Sequence, residues 1–139
     1  MDHFKIRNFE QSGNIKFPIY NEELSHNVIK NINTKLHLTD SNRIYEEIQK
    51  QGNVLTERNA LDSDFSIADI LHLYDISQSV SVNIIWDVKN NTFDYMSYET
   101  FCFLFPYIWY PGIDDMLVCD TSVSFLFFIR HDGVIFVIS

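Results

Sequence analysis

Length, composition and charge set the first limits on this protein. The chain has 139 residues, enough for one domain with a substantial core, and its 46% hydrophobic content argues against disorder. A net charge of −9 argues against a basic nucleic-acid-binding surface. The longest apolar runs, "FCFLFPYIWY" and "SFLFFI", are far shorter than the roughly 20 residues of a membrane-spanning helix. The opening "MDHFKIRNFEQSGN" lacks the apolar segment of a secretory signal, so we expect a cytoplasmic protein.

The net charge is concentrated in the middle of the chain. Residues 1–56 hold seven acids and seven bases, and residues 121–139 hold Arg130 and Asp132. Residues 57–120 hold eleven acids against Arg58 and Lys89, so the whole −9 falls there. Such a charge attracts cationic partners and speeds their association, although acids also keep an aromatic-rich domain soluble.

The first half of the chain predicts helices. "NIKFPIY" indicates a short extended segment limited by Pro18, and "NEELSHNVIKNINTKLH" predicts a helix capped by Asn21. The apolar face of this helix repeats every four residues: Leu24, Val28, Ile32 and Leu36. "TDSNRIYEEIQKQG" predicts a second helix with Asp40 or Ser41 as its cap and Gly52 as its stop.

A third predicted helix precedes a change to strands. "SIADILHLYDI" begins with Ser66 three residues before Asp69, as in a capping box with a shorter acid. From residue 79 the apolar residues alternate, and "SVSVNIIWD" and "TFDYMS" predict two strands joined by a turn at "KNN". Ser97 is expected to cap a helix that Pro106 bends or ends.

The last third of the chain predicts further strands. "MLVCD" is one, and "SVSFLFFIRHDGVIFVIS" predicts a hairpin that turns at Asp132-Gly133. The predicted fold class is α+β, with one domain spanning residues 1–139. We expect the N-terminal helices to pack on an antiparallel sheet of about five strands with one inserted helix.

No pattern in the chain indicates catalysis or metal binding. The five histidines have no zinc-site spacing, and the chain has no EF-hand loop, GxSxG or glycine-rich phosphate loop. Cys102 lies between Phe101 and Phe103, and Cys119 lies beside Asp120, whose charge raises a thiol pKa. We expect two free thiols, with a disulfide between them as the open alternative because spacing alone does not fix whether they meet, and no cofactor, no metal and no enzymatic activity. A small enzyme using one cysteine with a histidine remains an alternative.

The stretch "PYIWYPGIDD" favours a recognition surface. It sets aromatic residues beside Asp114 and Asp115 with no basic residue among them. Burying unpaired carboxylates costs several kcal/mol, so we expect these acids to face water until a cationic partner binds. Tyr107 and Trp109 are either interface anchors or core residues. The candidate partner-binding residues, with two acids extending the surface across the hairpin, are Asp87, Asp94, Trp109, Tyr110, Asp114, Asp115 and Asp120.

The second half resembles small bacterial immunity proteins. The resemblance runs from "IIWDVKNNTFDYMSYETFCFLFPYIWYPGIDDMLVCD" through "FLFFIRHDGVIFVIS" and is carried by "IWYPGIDD", "LVCD" and the hairpin around "RHDG". It implies a cytoplasmic, non-enzymatic inhibitor of a toxin from a polymorphic or contact-dependent growth-inhibition system. Such toxins are often basic nucleases, so the implied partner is a basic toxin domain that an acidic surface covers.

Other partners stay open at this stage. Another acidic inhibitor, such as a nucleic-acid mimic that inhibits a host nuclease or a phage defence enzyme, has the same charge pattern, and a structural or scaffold domain is a further alternative. In each case we expect no binding to nucleic acid or membrane, and a monomer or weak homodimer.

Overall fold

The computed structural model describes Lys5 and residues 22–139. In this part of the chain the helices are α1 (Glu22–Leu36), a 3-10 helix (Ser41–Arg43), α2 (Ile44–Gln51), α3 (Ile67–Leu73) and α4 (Tyr98–Ile108). The strands are β1 (Asn53–Val54), β2 (Ser81–Asp87), β3 (Thr92–Ser97), β4 (Met116–Cys119), β5 (Leu126–Ile129) and β6 (Ile135–Ile138). The predicted cap at Asn21 and the extended segment at "NIKFPIY" lie outside the described residues.

The strands form one antiparallel sheet in the order β1-β6-β5-β4-β2-β3. The predicted α+β class, with N-terminal helices on a sheet and a helix inserted between strands, is confirmed. The added strand is β1, whose Asn53 pairs with Val137 of β6. Two residues are too few to show an alternating pattern, so only the pairing reveals this strand.

Strands β4, β5 and β6 of the sheet are buried on both faces. In β4, Met116 and Val118 belong to one apolar cluster, and Leu117 and Cys119 belong to the other. Helices α1 and α2 cover the second cluster, whereas α3 and α4 cover the first. Because successive side chains point to opposite faces, a strand buried on both sides is apolar throughout, as in "MLVC", "LFFI" and "IFVI".

Most predicted helix boundaries are confirmed, and one cap is not. The Oγ of Ser97 accepts a bond from the Thr100 N–H at 3.1 Å, and α2 ends before Gly52. Ser66 precedes α3 but makes no side-chain capping bond, so the predicted capping box is wrong. The Asp69 N–H bonds instead to the Ser66 carbonyl at 3.2 Å.

Helix α4 continues through Pro106 to Ile108. Of the two predicted effects of this proline, a bend or an end of the helix, the end is therefore wrong. Pro106 lies on the exposed side, where water can bond the carbonyl that its missing N–H leaves without a helical partner.

The turn between β5 and β6 forms at Asp132-Gly133, where the sequence predicts it. Gly133 has a φ of 85°, a left-handed conformation that favours glycine. The Arg130 N–H bonds to the Val134 carbonyl at 2.9 Å and closes the turn. The predicted hairpin at Asp132-Gly133 is confirmed.

Within the described residues, no helix is long and apolar enough to cross a membrane.

Candidate partner-binding surface

Strand pairing brings four of the predicted acids to one end of the sheet. Ile84 of β2 pairs with Asp94, and Ile85 pairs with Leu117. The end of β2 therefore lies beside the start of β4, which collects four carboxylates: Asp87, Asp94, Asp114 and Asp115. Asp120 follows the other end of β4 and is separated from this group.

Asp114 has a basic partner that the local sequence does not show. Its Oδ2 forms an ion pair with the Nζ of Lys5, which is 1% exposed, and the Asp114 side chain is 13% exposed. The same oxygen accepts a bond from the Tyr110 N–H at 2.7 Å. The expectation that Asp114 simply faces water is wrong, because its cation comes from 109 residues away in the sequence.

The neighbouring acids Asp115 and Asp87 stabilise turns by accepting hydrogen bonds from backbone N–H groups. Asp115 Oδ1 accepts the His131 N–H at 2.8 Å and lies 2.9 Å from Nδ1 of that ring. Asp87 Oδ1 accepts the Lys89 N–H at 2.9 Å and the Asn90 N–H at 3.2 Å. Each carboxylate thus serves as an acceptor for loop backbone groups.

Asp120 organises the turn before β5. Its carboxylate accepts the Ser124 N–H and the hydroxyls of Ser122 and Ser124, each at 2.7 Å. Burial raises the pKa of Asp120, but the bonds from Ser124 and Ser122 outweigh it and the net pKa is lowered.

Trp109 has to be corrected from a partner anchor to a core residue. It is 4% exposed, its ring stacks on Phe105 at 5.8 Å between centroids, and its Nε1–H donates to the Asp114 carbonyl at 3.1 Å. Tyr110 is only half-buried. Trp109 therefore fixes the loop that follows α4 and presents no surface to a partner.

Helices α3 and α4 carry exposed apolar side chains, of which the sequence analysis considered Tyr107 and missed Leu73 and Phe103. Leu73 is 59% exposed, Phe103 65% and Tyr107 58%. The rings of Phe103 and Tyr107 lie 6.3 Å apart, and α3 and α4 contact each other. Glu99 lies one turn before Phe103. The i, i+4 spacing from Glu99 through Phe103 to Tyr107 was a usable signal, but it lay inside a continuous aromatic run.

Asp69, Asp75 and Glu99 add negative charge on and beside the same two helices. Six of the eleven acids in residues 57–120 are exposed and precede α3 or lie on or near α3 and α4: Glu57, Asp62, Asp64, Asp69, Asp75 and Glu99. Across Lys5 and residues 22–139, none of them forms a salt bridge. We call Asp69, Leu73, Glu99, Phe103 and Tyr107 the α3–α4 face.

Neither cysteine has the setting of a nucleophile. Both are free thiols, as predicted. Burial raises the pKa of Cys102 to about 11. Burial, with a smaller effect of Asp120, raises the pKa of Cys119 as well. A catalytic thiol requires the opposite shift, because the thiolate is the reactive form.

Among the residues that the structure describes, no group of three or more His, Cys, Asp or Glu side chains could hold a metal ion. A cleft of about 490 Å³ lies beside α1 and is lined by residues that include His26, Lys30 and Val88. Its described lining contains no carboxylate and no thiol, so no acid–base pair is assembled there.

No family model, curated protein or solved structure matches the chain. Its binding chemistry is therefore inferred from its own surfaces.

Proposed function

We propose that the protein is a cytoplasmic immunity protein that binds and neutralises a cognate bacterial toxin domain, a basic nuclease. The observation that carries the proposal is the α3–α4 face, where the exposed acids Asp69 and Glu99 lie one helical turn before the exposed Leu73 and Phe103. The resemblance of the second half to immunity proteins supports the choice of partner.

The charge on this face suits a basic nuclease. A nuclease holds phosphates with Lys and Arg, and these side chains attract an acidic surface in the same way. Asp69 and Glu99 are exposed in the first turns of α3 and α4. They can therefore meet partner cations without first breaking a salt bridge within the described residues.

The exposed apolar side chains supply the packing contacts that keep a partner bound. Long-range attraction sets the association rate, whereas packed aromatic and aliphatic side chains slow dissociation. Phe103 and Tyr107 provide two neighbouring rings, and Leu73 adds an aliphatic contact. Exposed apolar side chains next to exposed acids are the combination expected of a tight inhibitor of a basic protein.

The first experiment tests neutralisation in growing cells. The proposal implies that a gene for a large toxin lies directly upstream; the C-terminal domain that it encodes is placed under an inducible promoter and expressed alone or with this chain. We expect growth arrest from the domain alone and growth with both. Either a harmless domain or arrest that persists with this chain present would overturn the proposal.

A matched pair of double variants tests the surface. Asp69→Lys with Glu99→Lys reverses two first-turn acids on the α3–α4 face, and Glu22→Lys with Glu23→Lys reverses two first-turn acids of α1. Both pairs change the net charge equally and cost similar helix-dipole energy. We expect about a tenfold slower association at low salt for the first pair only.

Equal rates for the two pairs would remove the α3–α4 face from the mechanism. Asp114 and Asp115 make poorer test residues, because replacing them breaks the contacts with Lys5 and His131. A loss of folding would then be mistaken for a loss of binding.

A further inference from the structure

The Nζ of Lys5 lies in a cage of two aromatic rings and a carboxylate. It is 4.3 Å from the centre of the Trp86 ring and 4.4 Å from that of Tyr110, and it forms an ion pair with Asp114. Both ring distances are well inside the roughly 6 Å over which a cation is attracted to an aromatic face. Burying an ammonium ion costs several kcal/mol, so these three groups together offset its lost hydration.

The walls of the cage are held by bonds that do not involve Lys5. The Trp86 Nε1–H donates to Asp94 Oδ2 at 2.7 Å, which fixes the ring. The Oδ2 of Asp114 accepts a hydrogen bond from the Tyr110 N–H at 2.7 Å. The backbone carbonyl of Asp114 accepts one from the Trp109 Nε1–H at 3.1 Å. All these groups lie between residues 86 and 114, so the cage is preorganised for a cation whatever supplies it.

From this geometry we infer that Trp86, Tyr110 and Asp114 form a binding site for a lysine side chain, which Lys5 fills in the free protein. A lysine from a bound partner is the ligand that takes its place. The carboxylate accepts a hydrogen bond from a primary ammonium, and the two rings contact its charge and the last carbons of its stem. A neutral group gains neither interaction.

Lys5 then acts as an intramolecular competitor. A ligand tethered in the same chain has an effective concentration in the millimolar range, so an incoming lysine must bind better than Lys5 or arrive with other contacts. The inference rests on the cage geometry and does not depend on the proposed function.

Chemical rescue tests the site with n-butylammonium, which matches the four-carbon stem of lysine. In Lys5→Ala we expect millimolar n-butylammonium to raise the melting temperature and to change tryptophan fluorescence with saturation. We expect no such response in the wild type, or in Lys50→Ala, which removes an exposed lysine of α2. Solutions are matched in ionic strength with NaCl, and n-butanol serves as the neutral analogue.

Three results would overturn the inference. The first is that n-butylammonium raises the melting temperature of Lys5→Ala no more than that of Lys50→Ala. The second is that n-butanol has the same effect on Lys5→Ala as n-butylammonium. The third is that the effect of n-butylammonium persists in the double variant Lys5→Ala with Asp114→Asn. Because the double variant lacks the Asp114 carboxylate, it distinguishes recognition of a cation from nonspecific filling of the cavity that Lys5→Ala leaves.

A second measurement needs no variant and covers the case in which Lys5→Ala does not fold. In reductive methylation of the native wild type, we expect the Lys5 amine to react about tenfold more slowly than those of the exposed Lys50 and Lys89. Equal reactivity of the three amines would place Lys5 outside the cage in solution and overturn the inference.

Discussion

Asp87, Asp115 and Asp120 each accept at least one backbone N–H from a loop. At the scale of single residues, the acids that the sequence suggested as a binding surface mainly stabilise turns by accepting hydrogen bonds. Their side chains can still face a partner, but part of their hydrogen-bonding capacity is already used. The sequence placed Asp87 and Asp120 at the ends of strands and Asp115 in a loop, but it could not show which groups bond to them.

Asp120 supports a prediction about pH. Its folded-state pKa is lowered, so its contribution to stability is present above the ordinary pKa of 3.8 and is lost as the pH falls through the folded pKa. We expect Asp120→Asn to lower the free energy of unfolding by about 1 kcal/mol at neutral pH, because weaker bonds replace those to a charged acceptor. The difference should shrink in acid.

Urea unfolding from neutral to strongly acidic pH measures this effect. Asp64→Asn, at an exposed acid, is the control and should cost almost nothing. A penalty for Asp120→Asn that does not change with pH would show that the charge of Asp120 contributes nothing.

The two thiols support a prediction about reactivity. With its pKa raised from 9.0 to about 11, Cys102 has about a hundredfold less thiolate than an ordinary cysteine in mildly alkaline solution. We expect iodoacetamide to label Cys102 slowly and the buried Cys119 only after unfolding. Peptide mapping with and without urea distinguishes the two sites. Rapid labelling of either thiol in the native protein would revive the enzyme alternative.

At the scale of secondary-structure elements, α3 and α4 differ in how their N-termini are capped. Both follow a serine with extended backbone, Ser66 and Ser97. Only Ser97 accepts a bond from its helix. The sequence predicted a cap at both positions, because residue type shows the capacity for a capping bond and only the rotamer and local backbone show whether it forms.

This difference gives a matched pair of substitutions. We expect Ser97→Ala to lower the free energy of unfolding by about 1 kcal/mol, because the Thr100 N–H loses its acceptor. Ser66→Ala removes no such bond and should cost less than about 0.5 kcal/mol. Denaturant titration of both variants checks the prediction, and equal losses would contradict it.

At the scale of the whole molecule, part of the charge of the acidic middle lies on and beside α3 and α4. Asp69, Asp75 and Glu99 are exposed there and form no salt bridge within the described residues, while α1 and α2 cover the opposite face of the sheet. Like charges on one side repel each other and destabilise the compact state.

Salt should therefore stabilise the protein. Raising NaCl from about 10 mM to about 0.3 M shortens the screening length from roughly 30 Å to below 10 Å, so we expect the melting temperature to rise by a few degrees. Asp69→Lys with Glu99→Lys should show a smaller rise, because part of the repulsion is already removed. Calorimetry at several salt concentrations measures both. A melting temperature that falls with salt would mean that attractive ion pairs dominate.

Local patterns were sufficient for the class of the fold and for most element boundaries. The four-residue repeat from Leu24 to Leu36, the stop at Gly52 and the Asp132-Gly133 turn depend on residues a few positions apart, so the sequence by itself determined them. The segregation of charge is also a property of the sequence alone.

The tertiary structure alone decided which acids are paired and which aromatic rings are exposed. Lys5 reaches Asp114 across 109 positions, and Trp109 turns into the core while Phe103, on the same aromatic run, turns to solvent. Such contacts depend on where the sheet and helices place distant side chains. No spacing within one segment carries that information.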